Sequence, residues 1–311
     1  MGAAVQQLGR ETTRRRRVTG LGLLLAFGLA WLSSVACPLA RAAEPPAVIR
    51  YGYKVVQSYP HDRRSFTQGL VYENGILYEG TGLYGRSMLA KRDLKTGKAI
   101  KTTYLARRHF GEGITLFQDK IIQLTWQDNV GFVYKKDTFT LLKQFTYPTE
   151  GWGITHDGKR LIYSDGTATL RFLDPNTFVE TGRIEVRDQG RPVRGLNELE
   201  YVASPPSGVI DEYVAPPPSG VIDSQPGAAG PQGFEAGPQV FANVWPTDMI
   251  VVIDPKTGRV TGRLDLSRLY PRPEDSENVL NGIAWIPETK HLLVTGKLWP
   301  KVYEIELTYS Q

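Results

Sequence analysis

The sequence predicts an all-β protein, and its repeat length predicts a five-bladed β-propeller. After about the first forty residues helical periodicity is almost absent. Short runs rich in Val, Ile, Tyr, Thr and Phe are broken by Gly, Asn and Asp about every eight to twelve residues, as in all-β folds. Two landmarks alternate along the chain: a Gly- or Asn-rich segment that starts an apolar strand, and a hairpin turn that contains Asp and Thr. Their repeat of roughly 40 to 45 residues is the size of one propeller blade of four short strands.

We call the first landmark a strand-start segment, and it occurs five times. The segments are residues 66–70, 110–114, 151–154, 196–199 and 280–283. Their reference positions Gly69, Gly113, Gly153, Glu198 and Gly282 are separated by 44, 40, 45 and 84 residues, and the turn residues Thr96, Thr138, Thr177 and Thr257 by 42, 39 and 80. Because the last interval is doubled in both series, we expect an insertion at that point of the chain.

Five strand-start segments imply five blades. The apolar run 48–59 precedes the first segment and the run 302–307 follows the last one. We therefore expect these two runs to pair within one blade, which would close the ring and remove its exposed edges. Since the innermost strand of each blade lines the central channel, the five segments should meet at one end of that channel.

The expected insertion is residues 203–238. It contains a tandem duplication, Ser-Gly-Val-Ile-Asp at 207–211 and again at 219–223, followed by a tail rich in Gly, Ala, Pro and Gln. Such a composition buries too little apolar surface to offset the entropy lost on ordering. We expect a disordered surface loop that arose by a neutral duplication, with partner binding as the alternative.

Residues 1–42 have the layout of a secretory signal peptide. A basic cluster at 14–17 is followed by an apolar run at 21–36 and by Ala40-Arg41-Ala42. We expect cleavage near Ala42 and an exported protein, periplasmic or secreted. The arginine pairs leave a twin-arginine route open. An uncleaved membrane anchor is the other alternative, because residues 18–36 are nearly long enough to span a bilayer.

The basic character of the chain belongs to this segment. Residues 1–42 carry six Arg and one Glu, a net charge of +5, and the whole chain is also +5. The mature part is therefore nearly neutral, which argues against nucleic acid or an anionic membrane surface as partner. The only cysteine, Cys37, lies in the same segment. Residues 43–311 are long enough to form a single propeller domain without disulfides, and we expect a monomer.

The strand-start segments and their neighbours bring together aromatic side chains, amides, one Lys and carboxylates. The residues expected to meet there are Phe66, Gln68, Phe110, Glu112, Trp126, Trp152, Asn197, Glu198, Trp245, Asn281 and Lys297. An aromatic wall with a few polar groups is typical of a small-molecule or chain-end pocket, although core packing is the alternative for each Trp. A carboxyl group among aromatic rings loses solvation, so we expect a raised pKa that suits Glu112 to proton transfer near neutral pH.

The sequence gives little support for a metal site, a serine or cysteine nucleophile or a phosphate-binding loop. For the four histidines His61, His109, His156 and His291 we expect no close pairing with carboxylates, and they show no metal-ligand spacing, so no metal site is predicted. There is no Gly-x-Ser-x-Gly motif, no cysteine in the mature chain and no glycine-rich phosphate loop. Asn197 is followed by Glu198 and Glu200, which alternate on a strand. Only one of these carboxylates can face the channel, and either could instead form a surface salt bridge.

Six motifs in this order resemble the plant and bacterial glutaminyl-peptide cyclotransferases. The motifs are Tyr59-Pro60-His61-Asp62 with Phe66-Thr67-Gln68-Gly69-Leu70, Phe110-Gly111-Glu112-Gly113-Ile114-Thr115, Gly151-Trp152-Gly153-Ile154, Asn197-Glu198-Leu199-Glu200-Tyr201, Asn243-Val244-Trp245-Pro246-Thr247-Asp248 and Leu280-Asn281-Gly282-Ile283-Ala284. The resemblance covers about residues 51–307 and is interrupted by the insertion. That family consists of five-bladed propellers unrelated to the zinc-dependent animal enzymes.

The resemblance implies a function and assigns roles to the candidate residues. It implies cyclisation of an N-terminal Gln to pyroglutamate with loss of ammonia, without metal or cofactor, on peptide or protein substrates. It further implies that Glu112 is the catalytic acid/base and that Phe66, Gln68, Phe110, Trp126, Trp152, Asn197, Trp245 and Lys297 line the substrate pocket. A non-catalytic propeller that binds peptide ends or an envelope partner is the alternative. A sugar or lactone hydrolase is less consistent with the poor supply of metal ligands.

Overall fold

The computed structural model describes residues 47–203, 237–271 and 277–309, and within these ranges every regular element is a β-strand. The predicted all-β class is confirmed. No helix that could cross a lipid bilayer is found in the described ranges. The predicted signal peptide, residues 1–42, lies outside them, as does nearly all of the predicted insertion at 203–238.

The first strand, β1 (Ile49–Pro60), belongs to a large sheet, and the next twelve strands form three sheets of four. The β2–β5 sheet contains β2 (Thr67–Glu73), β3 (Ile76–Thr81), β4 (Met88–Asp93) and β5 (Ala99–Tyr104). The β6–β9 sheet contains β6 (Gly111–Phe117), β7 (Lys120–Thr125), β8 (Val130–Lys135) and β9 (Leu141–Thr146). The β10–β13 sheet contains β10 (Ile154–His156), β11 (Leu161–Ser164), β12 (Thr169–Leu173) and β13 (Glu180–Glu185). Each is an antiparallel meander.

A short hairpin, β14 (Arg187–Asp188) and β15 (Arg191–Pro192), precedes the remaining strands. These are β16 (Leu196–Val202), β17 (Gln239–Val244), β18 (Met249–Ile253), β19 (Val260–Asp265), β20 (Leu280–Ile286), β21 (His291–Gly296) and β22 (Lys301–Tyr309). Together with β1 they form one eight-stranded sheet in the order β16-β17-β18-β19-β1-β22-β21-β20. The predicted pairing of the runs 48–59 and 302–307 is present, because β1 pairs antiparallel with β22. An additional short parallel pairing of residues 49–51 with β19 joins the two halves of this sheet.

The hairpin turns follow from their sequence. In the first, Asp93 accepts hydrogen bonds from the backbone N–H of Thr96 at 2.8 Å and from its hydroxyl at 2.7 Å. Gly97 then adopts a φ of +67°, a conformation that is easy only for glycine. Asp174 and Asp254 accept the hydroxyl hydrogen bonds of the threonines three positions later in the same way. An Asp side chain that satisfies the turn backbone explains why Asp and Thr recur at the blade period.

The apolar cores lie between neighbouring groups of strands. Five clusters of buried apolar side chains occur among the described residues, and each takes side chains from two successive groups. Representative members, one from each cluster, are Leu89, Leu124, Leu170, Phe241 and Leu293, all fully buried. Full burial of one such side chain contributes about 1.5–3 kcal/mol, so these interfaces account for much of the stability.

The first strands of the groups meet one another. β2 contacts β6, β6 contacts β10, β10 contacts β16, β16 contacts β20 and β20 contacts β2. The strand-start glycines make this approach possible: a Cβ on Gly113 would lie 2.6 Å from the carbonyl oxygen of Trp152, and one on Gly153 would lie 2.1 Å from that of Asn197. Backbone therefore packs directly on backbone at the centre.

Candidate active site

The nine predicted site residues surround one cavity of about 350 Å³. Its lining consists of Phe66, Gln68, Phe110, Glu112, Trp126, Trp152, Asn197, Trp245 and Lys297, together with Leu83 and Glu277. They come from four of the five strand-start segments and from loops beside them. The structure thus brings to one place the nine residues to which the resemblance gives site roles, whereas Glu198 and Asn281, which were also expected there, do not line the cavity. Leu83 and Glu277 also line the cavity and were not predicted.

Irregularities in the first strands aim the polar side chains into this cavity. The pairing of β2 with β3 shifts register between Thr67 and Gly69, which leaves Gln68 out of the ladder. Corresponding shifts leave out Glu112 in β6 and Asn197 in β16. A β-bulge of this kind redirects a side chain that strict alternation would place elsewhere. The bulges explain how adjacent strands present their polar residues at one end of the ring.

Glu112 is the central carboxyl group of the cavity. Its side chain is buried, with only 4% of the residue exposed. Oε1 accepts a hydrogen bond of 2.8 Å from Nε2 of Gln68, and Oε2 has no hydrogen-bond partner among the described residues. Burial raises the pKa of Glu112 well above its ordinary value of 4.5, and the negative charge of Glu150 adds to this. The positive charge of Lys297 and the Gln68 hydrogen bond oppose the rise without cancelling it.

Lys297 supplies the cationic group of the cavity. The residue is only 6% exposed, and Nζ lies 4.7 Å from the centroid of the Phe66 ring, a cation–π contact. Burial lowers the pKa of Lys297 below 10.5, while attraction to Glu112 and Glu277 works in the opposite direction. Burial thus brings the pKa values of Glu112 and Lys297 closer together than they are in water. Proton exchange within the cavity is easier as a result.

Gln68 is held at both ends of its amide. Nε2 donates to Glu112, and Oε1 accepts a 2.9 Å hydrogen bond from Nδ2 of Asn281. Asn281 belongs to the fifth strand-start segment and also donates to the backbone carbonyl of Thr67 at 3.0 Å. The amide of Gln68 is therefore a fixed support for Glu112. Asn197 differs, because its Oδ1 is buried and has no hydrogen-bond partner among the described residues.

The aromatic side chains form the walls. Phe110 makes edge contacts with Phe66 at 6.1 Å and with Trp126 at 5.6 Å between ring centroids, and Trp152 meets Trp245 at 5.7 Å. Trp245 is 45% exposed and so lies at the mouth. Trp126 and Trp152 are partly buried and belong to none of the apolar clusters. The core alternative for the tryptophans is therefore wrong.

Glu198 and Glu200 have neither of the predicted environments, which were a position facing the channel for one of them and a surface salt bridge. The carboxylate of Glu198 accepts backbone hydrogen bonds from Leu70 at 3.2 Å and Ile283 at 2.8 Å, and Glu200 accepts one from Trp285 at 2.9 Å. Burial raises the pKa of Glu198 well above its ordinary value and that of Glu200 to about 8. Both serve to join β16 to other first strands. The surface salt bridge considered for them is wrong.

The absence of His–carboxylate pairs, expected from the sequence, is also wrong. His61 lies 2.9 Å from Glu79, His109 lies 2.7 Å from Asp128 and His291 lies 2.7 Å from Glu304. These partners are 13 to 19 positions away along the chain and meet only in the folded protein. Within the described ranges no group of three or more His, Cys, Asp or Glu side chains has an arrangement that could hold a metal ion.

Glu150 is the functional neighbour that the sequence did not indicate. Its Oε2 accepts hydrogen bonds from the indole N–H of Trp126 at 2.8 Å and of Trp152 at 3.0 Å. A carboxylate two positions before Trp152 is a weak signal, and its partner Trp126 is 24 positions away. Only the folded arrangement shows that one carboxylate holds two walls of the cavity.

Comparisons with known proteins show which family this chain resembles. A sequence model of the family described as glutamine cyclotransferase matches residues 28–208 and 234–307, and the unmatched residues between them fall inside the predicted insertion. A glutaminyl-peptide cyclotransferase of Arabidopsis thaliana is 40% identical over 260 residues, which cover 82% of this chain and 71% of that protein. The crystal structure of the glutaminyl cyclase of Myxococcus xanthus is similar with a TM-score of 0.69 and 29% identity, covering 85% of this chain and 100% of that one.

Proposed function

The chain belongs to the glutamine cyclotransferase family, and from this we propose that it is a glutaminyl-peptide cyclotransferase, an acyltransferase that converts the N-terminal Gln of peptides or proteins to pyroglutamate. The observation that carries the proposal is the buried carboxyl group of Glu112 inside an aromatic cavity, with one oxygen that has no hydrogen-bond partner among the described residues. Such a group can carry a proton between two nitrogen atoms of a bound substrate.

The reaction we propose is an intramolecular acyl transfer. The neutral α-amine of the substrate attacks Cδ of its own side-chain amide, so that an N–Cδ bond forms and the carbonyl oxygen gains negative charge. Glu112 takes a proton from the attacking nitrogen and gives it to the side-chain nitrogen. The Cδ–Nε bond then breaks and ammonia leaves, so the protons balance without a cofactor. The aromatic walls would favour the folded conformation in which amine and carbonyl meet.

Three polar residues of the cavity, Lys297, Asn197 and Gln68, have other roles in the proposed reaction. Lys297 is a buried cation whose ammonium can stabilise the negative charge that develops on the carbonyl oxygen. The free Oδ1 of Asn197 can accept a hydrogen bond from the α-amine or the amide NH₂ of the substrate. We assign Gln68 a supporting role instead, because its amide is already bonded to Glu112 and Asn281.

We also propose that residues 43–311 form a single domain with five blades around a central channel. Support comes from the closed cycle of contacts among β2, β6, β10, β16 and β20 and from the five cores between successive groups. The eight-stranded sheet fits this arrangement as two blades, β16–β19 and β20–β22 with β1, whose strand ladders are connected by the parallel pairing of residues 49–51 with β19.

The proposal is tested by following mass loss. Purified protein, kept in buffer with a strong chelator, should remove the mass of one ammonia molecule from a short peptide that starts with Gln, because neither the proton transfer nor the binding steps use a metal. A peptide with the same composition and Gln at its second position should stay unchanged. If no Gln-initiated peptide reacts under any metal condition, the non-catalytic binding alternative takes the place of this proposal. Activity that disappears with the chelator and returns with a metal would contradict the mechanism.

Export is part of the proposal. We infer that residues 1–42 direct the protein out of the cytoplasm and are removed, and that the mature protein is periplasmic or secreted and monomeric. The intact mass of protein isolated from its producing cell should correspond to a chain that starts near residue 43. A full-length mass in the membrane fraction would instead indicate the uncleaved anchor.

A further inference from the structure

Glu150 lies in the loop between β9 and β10, behind two walls of the cavity. Its Oε2 is shared by the indole N–H groups of Trp126 at 2.8 Å and Trp152 at 3.0 Å, and its Oε1 accepts a 3.1 Å hydrogen bond from the side chain of Gln127. It is not among the residues that line the cavity. One oxygen of this carboxylate therefore bonds to the two tryptophans of the cavity wall. The other oxygen bonds to Gln127, the residue that follows Trp126 in the chain.

The two tryptophans reach this point from different sheets. Trp126 directly follows β7, and Trp152 lies two positions before the start of β10. An indole ring can only donate through its N–H, and hydrogen bonds to an ionised acceptor are about twice as strong as neutral ones. A backbone hydrogen bond of 3.0 Å from Gly151 to Trp126 draws the two segments together at the same place. The shared carboxylate thus fixes the angle between two aromatic walls.

We propose that Glu150 is a positioning residue that locks the indoles of Trp126 and Trp152 into the shape that folds the Gln side chain of the substrate onto its α-amine. This inference rests on the proposed cyclotransferase function. The residue would act through the two rings and would not touch the substrate. Without the carboxylate, both rings lose the acceptor that holds them and can turn about their side-chain bonds.

The charge of Glu150 has a second effect, on proton transfer. The titratable groups that act on Glu112 are Lys297, which lowers its pKa, and Glu150, which raises it, while Tyr147 and Glu112 repel each other in their ionised forms. Glu277 acts on Lys297. Removal of the Glu150 charge should therefore lower the pKa of Glu112 and move the acid limb of kcat/KM to lower pH.

Two substitutions of Glu150 distinguish its effect on the positions of the indole rings from the effect of its charge. Glu150→Gln keeps a carbonyl oxygen as acceptor for the indoles but removes the charge, whereas Glu150→Ala removes both. We expect kcat/KM near the wild-type value for Glu150→Gln at its optimum, with an acid limb at lower pH. We expect Glu150→Ala to show the same shift together with a further loss of about 10- to 100-fold, since small misplacements near the chemistry have effects of this order. The near-ultraviolet circular dichroism of the tryptophans should change only in Glu150→Ala.

The control is Glu73→Gln, which removes a carboxylate at the end of β2 that is paired with Lys136 at 2.7 Å and does not line the cavity; it should leave all kinetic parameters unchanged. A Glu150→Ala enzyme with wild-type kcat, KM, pH limb and tryptophan spectrum would overturn this inference alone. A variant that is merely less stable but has normal kinetics per folded molecule would also overturn it. Wild-type protein that never releases ammonia from a Gln-peptide would overturn the proposed function first, and this inference with it.

Discussion

Replacing Glu112 with Gln should lower kcat by about 10²–10⁴-fold, the usual contribution of a positioned acid/base group. Gln has the same shape and can still contact Gln68, so the cavity should keep its form and KM should change little. The loss arises because an amide cannot accept the proton of the attacking amine and return it to the leaving nitrogen. Ammonia release from a Gln-initiated peptide under single-turnover conditions measures the effect directly.

The control for this variant is Glu306→Gln, which removes an exposed carboxylate that faces Lys54 at 3.9 Å far from the cavity. It should retain wild-type activity. A Glu112→Gln enzyme that keeps most of the wild-type rate would remove Glu112 from the mechanism.

The pH profile of the wild-type enzyme offers a second check on the same residue. Since the pKa of Glu112 is raised above 4.5 and that of Lys297 is lowered below 10.5, both limbs of the wild-type profile should lie inside these values.

Replacing Glu79 with Gln should reduce the free energy of unfolding by about 3–5 kcal/mol, the usual effect of removing one partner from a buried ion pair. Glu79 is fully buried and accepts hydrogen bonds from Nε2 of His61 at 2.9 Å and from Arg92 at 2.8 Å. Nδ1 of His61 faces the carbonyl oxygen of Trp299 at 2.7 Å. Both ring nitrogens therefore face acceptors and both carry protons, so His61 is a cation. The variant would leave His61 and Arg92 buried without their counter-ion.

The stability that Glu79 and His61 contribute depends on pH in a direction that follows from their pKa shifts. Burial alone would raise the pKa of Glu79, but His61, Arg92 and Thr67 together lower it to about 2. The stability that Glu79 contributes is therefore complete above its ordinary pKa of 4.5 and is lost as the pH falls through about 2. Burial alone would lower the pKa of His61, but the charge of Glu79 and the hydrogen bonds to Glu79 and to the carbonyl of Trp299 together raise it above 6.5. The contribution of His61 is therefore complete below 6.5 and is lost as the pH rises through the raised value.

Urea denaturation of wild-type and variant protein at several pH values measures this difference. The gap between the two should be largest in the slightly acid range and should narrow toward pH 2. Asp62→Asn is the matched control, because the partner of Asp62 is the exposed Arg64, and it should change stability little. Equal effects of the two substitutions would contradict a special role for the buried network. Thr67, which bonds to Glu79 at 2.9 Å, directly precedes Gln68, so Glu79→Gln should also weaken activity.

The extent of the prediction from sequence can be traced to particular residues. The glycines at 69, 113 and 153 were recognisable because backbone contact at the centre allows no side chain there. The pocket residues lie within or beside segments that repeat at the blade period, and the resemblance to a known family assigned their roles. Glu150 and the partners of the histidines could not be predicted in this way, because their contacts depend on strand register and on which loops meet. The parallel pairing of residues 49–51 with β19 was missed for the same reason.

During synthesis, Tyr59 on β1 leaves the ribosome 245 positions before Glu304 on β22, the residue with which it forms a 2.6 Å hydrogen bond. At translation rates of about 5–20 residues per second, roughly 10 to 50 seconds separate the two events. Until β22 is made, β1 lacks its main antiparallel partner and the core that contains Leu70 and Val302 is open on one side. A nascent chain therefore has no complete cavity and no activity. It also remains without its closing strand throughout the period in which an export machinery would have to engage an unfolded polypeptide.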